Sequence, residues 1–161
     1  MAPRRRVRPE IIPDQSLTII HKIAWLQMNI SDACYYLSCH YHDEVAVFGF
    51  GAYIQDQAML RWFEAKNTLK YIIARGNKVC LPDIQCPAID YQKHMDSIMG
   101  VLNMEKELTK ALQNLHATAF DIGDTETLNF VRALIPQQSK KEESLKQEIH
   151  ELGNRNEQAQ E

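Results

Sequence analysis

The chain has 161 residues, of which 45% are hydrophobic, and a formal net charge of -3 at pH 7. This length fits one domain that buries a substantial core without help from disulfides or metal. No run of 18 apolar residues occurs and the N-terminus has no apolar signal region, so we expect a soluble, cytoplasmic protein without a membrane role.

Residues 1–12 carry a short basic head of four arginines, Arg4, Arg5, Arg6 and Arg8. A nuclear address or a nucleic-acid contact would suit such a cluster, but we favour a disordered, solubilising tail because the run is short. We expect no nucleic-acid partner.

The cysteines Cys34, Cys39, Cys80 and Cys86 show no C-x-x-C spacing, and we interpret them as reduced thiols rather than a disulfide or metal site.

Two helices are predicted in the first half of the chain. Apolar residues at 4-3-4-3-4 spacing, from Ile19 to Leu37, predict a helix that begins near Asp14 or Ser16 and fades at His42. A second apolar stripe predicts a helix from about Glu44 to Gly76, which suits the position after a helix C-terminus. The short connection between them predicts an antiparallel hairpin.

A second hairpin is predicted after a long connection. Residues 76–90 contain two prolines and no helical period, and this extended segment is long enough to run along a helix. A third helix is predicted from Tyr91 to about Phe120, then a tight turn, then a fourth helix from about Thr125 to Gly153. Pro136 should kink or interrupt the fourth helix, and we expect a polar, frayed tail over residues 154–161.

The predicted fold is therefore all-α, with two antiparallel hairpins joined by one long crossover. Residues 13–153 form a four-helix bundle whose middle two helices are parallel. Two charges occupy the apolar stripes near their midpoints: Arg61 in the second helix and Glu105 in the third. Because an unpaired buried charge costs several kcal/mol, we expect Arg61 and Glu105 to form a buried salt bridge, or to share trapped water, in one polar layer.

Short motifs in a fixed order along the chain resemble those of eukaryotic ferritins. They are Tyr35-Tyr36-Leu37-Ser38, Val45-Ala46, Arg75-Gly76, Leu81-Pro82-Asp83-Ile84 and Asn103-Met104-Glu105-Lys106. The resemblance covers roughly residues 7–153. It implies a ferritin-like four-helix bundle, but the chain ends without the short fifth helix of that family, so we expect at least a dimer rather than a complete cage.

The resemblance also implies positions for a di-iron centre. They fall on Asn29, Tyr36, Arg61, Glu64, Glu105 and, for a glutamine of the fourth helix, near Ser139. Among the metal ligands Glu105 is retained, and Glu64 is a chemically suitable substitute. Arg61 places a permanent positive charge where a cation would bind, which resembles the catalytically silent ferritin light chain, so we expect a degenerate centre without efficient ferroxidase activity.

Other family features are altered as well. The acidic patch that lines the cage cavity is almost lost at Asp56, Met59, Leu60 and Phe63, and the carboxylates of the three-fold pore fall on Asn129 and Arg132. A positive ring would repel Fe²⁺.

Two further groups of residues can be interpreted either as functional sites or as ordinary structural features. His40 and His42, beside Asp43 and Glu44, would suit a small metal site, but we favour solvated polar residues at a helix end. The aromatic residues Tyr53, Trp62, Phe63 and Tyr71 would suit a partner surface, but we favour packing against a neighbouring helix or subunit.

Three hypotheses about function follow. The leading one is a ferritin-like subunit that has lost di-iron chemistry, requires no cofactor, and acts structurally by self-association or by joining cages of active ferritin chains. The second is weak iron binding or oxidation at Glu64 and Glu105. The third is a protein-interaction module unrelated to iron.

Overall fold

Four α-helices make up almost all of the described chain. A computed structural model describes residues 10–41, 49–80 and 94–158, with α1 at Asp14–Tyr41, α2 at Phe50–Ala74, α3 at His94–Ile122 and α4 at Thr125–Gln158. Within these ranges the chain forms no β-strand. The prediction of an all-α four-helix bundle is confirmed. None of the helices in the described ranges is both long and apolar enough to cross a membrane.

The start of α2 differs from the sequence prediction. Gly49 has a φ of 90°, a left-handed conformation that cannot continue a right-handed helix, and α2 begins after it at Phe50. The predicted helix therefore does not run continuously from Glu44 through Gly49, and residues 42–48 themselves lie outside the described residues. At Gly51, a Cβ atom would lie 3.1 Å from the carbonyl oxygen of Tyr41, so the missing side chain lets the ends of α1 and α2 approach closely.

The end of α2 agrees with the prediction. Gly76 has a φ of 82°, and its N–H donates to the carbonyl of Ile73 at 2.9 Å while the N–H of Asn77 donates to the carbonyl of Ile72 at 3.2 Å. This pair of bonds is a Schellman motif, which satisfies helix carbonyls that would otherwise have no partner. Residues 81–93, which include most of the predicted crossover at 76–90, lie outside the described residues, as does the basic head.

The second hairpin has a shorter connection and a longer last helix than predicted. α3 continues past Phe120 to Ile122, and Gly123, with a φ of 79°, turns the chain directly into α4. Pro136 does not interrupt α4, which continues beyond Gly153 to Gln158. The predicted helix end at Gly153 was wrong because the polar residues after it remain compatible with a helix; Nδ2 of Asn154, for instance, lies 3.4 Å from Nε2 of His150 one turn earlier.

Contacts between α2 and α4 establish the topology. Tyr53 meets Ser144 near the start of α2, and Tyr71 meets Thr127 near its end, so α2 and α4 are antiparallel. α3 and α4 are also antiparallel because only the turn at Gly123 separates them. It follows that α2 and α3 are parallel, as predicted.

The predicted apolar stripes form one core. Fully buried side chains come from all four helices: Ile20, Ile23 and Ile30 of α1, Ile54 and Ile72 of α2, Ile98, Leu108 and Leu115 of α3, and Val131 of α4. Near the middle of the bundle this apolar core is interrupted by a layer of polar side chains. That polar layer is the candidate site.

Candidate functional site

The centre of the polar layer is an ion pair between α2 and α3. Arg61 is only 2% exposed and Glu105 only 5%. Nε of Arg61 donates to Oε1 of Glu105 at 3.0 Å, and Nη2 of Arg61 donates to Oε2 of the same carboxylate. This is a bidentate arrangement, which a guanidinium makes and an ammonium does not. Both charges are thus internal to the bundle and compensate each other.

A second carboxylate and a second cation extend this pair towards α4. Nη1 of Arg61 donates to Oε2 of Glu64 at 2.7 Å, one turn along α2. The other oxygen of Glu64 contacts Nζ of Lys141. Two cations and two carboxylates therefore form a continuous chain, Lys141–Glu64–Arg61–Glu105, whose formal charges cancel. Such cancellation is what makes several buried ionic groups tolerable in a protein interior.

Gln138 of α4 is a further member of the polar layer and contacts Glu105. Its amide Nε2 donates to Oε2 of Glu105 at 2.8 Å and lies 3.2 Å from the backbone carbonyl of the same residue. Next to it, the hydroxyl of Thr109 donates to Glu142 at 2.7 Å. The hydrogen bond from Thr109, with Lys146 nearby, holds the pKa of Glu142 below its ordinary value.

The pKa values of two titratable groups, Cys34 beside the layer and Lys141 within it, are shifted. Burial raises the pKa of the Cys34 thiol to about 12, and the charge of Glu105 adds to the rise while Arg61 opposes it. Burial and the charge of Arg61 lower the pKa of Lys141 to about 8, although its contact with Glu64 acts in the opposite direction. Cys34 is therefore a neutral thiol at neutral pH, with little nucleophilic character.

The structure brings some of the sequence-predicted positions together and not others. Arg61, Glu64 and Glu105 share the polar layer. Asn29 is buried, and its Oδ1 has no hydrogen-bond partner among the described residues. Tyr36 is 48% exposed, with its ring 4.9 Å from that of His40.

The glutamine position of the fourth helix was expected near Ser139, one residue from Gln138, whose side chain enters the polar layer. Ser139 is exposed, whereas Gln138 is buried and contacts Glu105. Gln138 follows Val131 and Ile135 at 4-3 spacing in the sequence, and this helical period could have identified it. Lys141 was missed because a lysine outside the stripe gives no sign in the sequence that its ammonium reaches Glu64 on another helix.

The capacity of this layer to hold a metal depends on its two carboxylates. Glu64 and Glu105 are chemically suitable ligands, but Arg61 donates to both and Lys141 also contacts Glu64. Across residues 10–41, 49–80 and 94–158, no three His, Cys, Asp or Glu side chains are grouped as a metal ion would require.

Other predicted positions lie away from the layer. Asn129 and Arg132 are both exposed, one turn apart on α4. Trp62 and Phe63 are exposed on α2, while Tyr53 and Tyr71 pack partly against the core. Of the histidine group, His40 is exposed, and His42, Asp43 and Glu44 lie outside the described residues.

A second buried cluster, absent from the sequence predictions, joins the ends of α2 and α4. Arg75 is buried and donates to the backbone carbonyl of Glu10 at 2.6 Å, to Oη of Tyr71 at 2.6 Å and to both oxygens of Asp124 at 3.3 Å. Asp124 also accepts from the N–H of Thr127 at 3.2 Å, which caps α4. This cluster fastens the N-terminal segment to the bundle and is structural.

Comparison with known sequences gives a consistent family match. The pattern of the ferritin-like domain of the ferritin family matches residues 24–154 of this chain. Three relatives illustrate the similarity. A bacterial non-heme ferritin of Staphylococcus epidermidis is 25% identical over 112 residues, which cover 70% of this chain and 68% of that protein.

The other two relatives are ferritin light chains. That of Bos taurus is 30% identical over 110 residues, covering 66% of this chain and 63% of the relative. The oocyte isoform of Xenopus laevis is 30% identical over 115 residues, covering 69% of this chain and 64% of the relative. The chain thus spans roughly two thirds of the length of the relatives it matches.

Proposed function

This chain belongs to the ferritin family, and on that premise we propose that it is a structural ferritin-like subunit that does not oxidise ferrous iron itself. It acts by self-association or by co-assembly with active ferritin chains. The observation that carries the proposal is the position of Arg61, whose guanidinium lies between Glu64 and Glu105 and donates to both.

The chemistry of these residues does not fit a di-iron centre. Two ferrous ions need several free carboxylates and a histidine around them. Here a guanidinium that stays protonated takes both oxygens of Glu105 and one oxygen of Glu64, while Lys141 takes the other. Iron binding would have to displace a bidentate ion pair and bring two divalent cations beside two existing cations, so no step of iron oxidation is assigned to this layer.

The structural part of the proposal is supported by the exposed apolar residues of α2. Met59, Trp62 and Ile73 are all more than 40% exposed. Their exposure on one long helix suits burial against another subunit better than contact with water.

The test is a ferrous oxidation assay on the purified chain, with oxygen uptake and absorbance of the ferric product as readouts. The expected initial rate equals that of buffer without protein. An appreciable rate that disappears in Glu105→Ala, but persists in the exposed control Glu107→Ala, would overturn the proposal. Stoichiometric iron binding that is lost in Glu64→Ala would instead support the alternative of a residual site at Glu64 and Glu105.

Native mass spectrometry tests the assembly. The chain is measured alone and after joint disassembly and reassembly with an active ferritin chain. A small oligomer alone that enters mixed shells supports a structural subunit. A chain that stays monomeric and enters no shell contradicts this role and favours an interaction module unrelated to iron.

A further inference from the structure

A groove of about 440 Å³ lies between α2 and α4, next to the polar layer. Leu60 and Phe63 contribute apolar surface from α2, and Phe130 and Leu134 contribute it from α4. Leu60 and Phe63 are 45% and 56% exposed, so this apolar surface is open to solvent. The volume lies in the range of pockets that bind small molecules, which are mainly apolar with a few polar groups that fix orientation.

The wall formed by α4 changes from apolar to polar along its length. Phe130, Leu134, Gln137 and Lys141 follow one another at 4-3-4 spacing and therefore lie on one face of the helix. At a rise of about 1.5 Å per residue this face extends over about 16 Å. One end of the groove is thus hydrocarbon, and the other carries the ammonium of Lys141, the amide of Gln137 and, from α2, the Glu64 carboxylate that Lys141 contacts.

The polar end of the groove has hydrogen-bond donors that the described residues do not use. An ammonium donates up to three hydrogen bonds, and among the described residues Glu64 is the polar partner of Lys141. The side chain of Gln137 has no hydrogen bond to the described part of the chain. A negatively charged ligand would not meet a net negative charge there, because Arg61 and Lys141 balance Glu64 and Glu105. Nζ of Lys66 lies 5.9 Å from the centroid of the Phe63 ring, which lines the groove, and adds a further positive charge nearby.

We propose that this groove binds one free anionic amphiphile per chain, of the class of a medium-chain carboxylate. The carboxylate lies at Lys141 and Gln137, and the hydrocarbon chain lies along Leu134 and Phe130. A single chain fits a concave groove between two helices, whereas a bilayer would need a flat or protruding apolar face. The inference goes beyond the proposed loss of iron oxidation: Lys141 is shared with the polar layer, but Gln137, Leu134 and Phe130 lie outside the ionic chain of that layer.

The test is a calorimetric titration of the full chain with dodecanoate below its micelle concentration. The expected result is saturable binding of one molecule per chain. Lys141→Met should weaken binding roughly tenfold or more, because a charge-assisted hydrogen bond is lost. Lys140→Met is the matched control, since Lys140 is exposed and does not line the groove, and it should leave the affinity unchanged. The neutral analogue dodecanol should bind both lysine variants equally.

If Lys141→Met does not fold, as judged by circular dichroism and native mass, a substitution in the apolar wall of the groove provides the test. Leu134→Asn should weaken dodecanoate and dodecanol alike. The absence of saturable binding, or equal losses in Lys141→Met and Lys140→Met, would overturn the proposal. Sedimentation with phosphatidylserine vesicles that depends on Lys141 would also overturn it, because the ligand would then be a membrane surface rather than a free amphiphile.

Discussion

Arg61 of α2 donates two parallel hydrogen bonds to Glu105 of α3, at a depth where both side chains are almost inaccessible to water. The pair connects the two parallel helices of the bundle at its centre. Because Glu64 and Gln138 complete the hydrogen bonding of these two groups, the pair is part of a larger network rather than an isolated bridge.

Removal of one partner of this pair should cost more stability than removal of both. Arg61→Met leaves the Glu105 carboxylate buried without its cation, and we expect a loss of about 3–5 kcal/mol. The double variant Arg61→Met, Glu105→Leu should lose clearly less, because apolar side chains replace both charges. Urea unfolding with comparison of midpoints and m-values measures the difference. Equal losses in the single and double variants would show that the two side chains do not depend on each other.

Stability at acid pH should depend on Asp124. Burial by itself would raise the pKa of this carboxyl, but hydrogen bonds from Thr127 and from Arg75 outweigh it and the pKa lies below its ordinary value. The folded-state pKa is then lower than the unfolded one, so the contribution is fully present above about pH 4 and is lost as the pH falls through the folded pKa.

We therefore expect Asp124→Asn to be less stable than the wild type at pH 7, by about 1–3 kcal/mol. The gap should close as the pH falls below about 4. Unfolding curves at a series of pH values test this, with Asp121→Asn at an exposed position as the control. A gap that stays constant down to pH 2 would mean that Asp124 does not titrate in this range.

Thiol reagents should distinguish Cys34 from Cys39. Cys34 is 1% exposed and its pKa is raised to about 12, whereas Cys39 is exposed. Because Cys34 reacts only when the bundle opens, we expect its labelling by iodoacetamide to be slower than that of Cys39 by a factor of roughly 10³ or more. Peptide mapping by mass spectrometry gives both rates. In denaturant the two rates should become similar; similar rates in the native protein would place Cys34 outside the core.

Two glycines should respond to alanine in opposite directions. Gly76 has a φ of 82°, and an added Cβ would meet no atom within 4 Å, so the backbone conformation alone makes Gly76→Ala unfavourable, by about 1–2 kcal/mol. Gly153 lies inside α4 with open space around it, so Gly153→Ala should stabilise the protein by about 0.5–1 kcal/mol. Thermal unfolding measures both. Stabilisation by Gly76→Ala would mean that the Schellman turn is not formed in solution.

The four helices and most of the core could be predicted because their signal is local. Residues such as Ile23, Ile54 and Leu108 recur at the helical period, and each is fully buried in the bundle. Helix ends were less predictable: the glycine at the end of α2 gave the correct boundary, but the left-handed turn at Gly49 moved the start of α2 to Phe50. At Gly49 the apolar pattern continues through the boundary, so periodicity alone could not locate it.

The sequence by itself determined that two opposite charges, Arg61 and Glu105, occupy apolar stripes, and hence that the bundle needs a compensated polar layer. Only the tertiary structure decided which side chains complete that layer. Neighbouring residues on a helix point about 100° apart, so the choice between Gln138 and Ser139 depends on the rotation of α4 about its axis. The contact of Lys141 with Glu64 depends on the distance between two helices. Both quantities are set by packing across the whole bundle, which no local pattern contains.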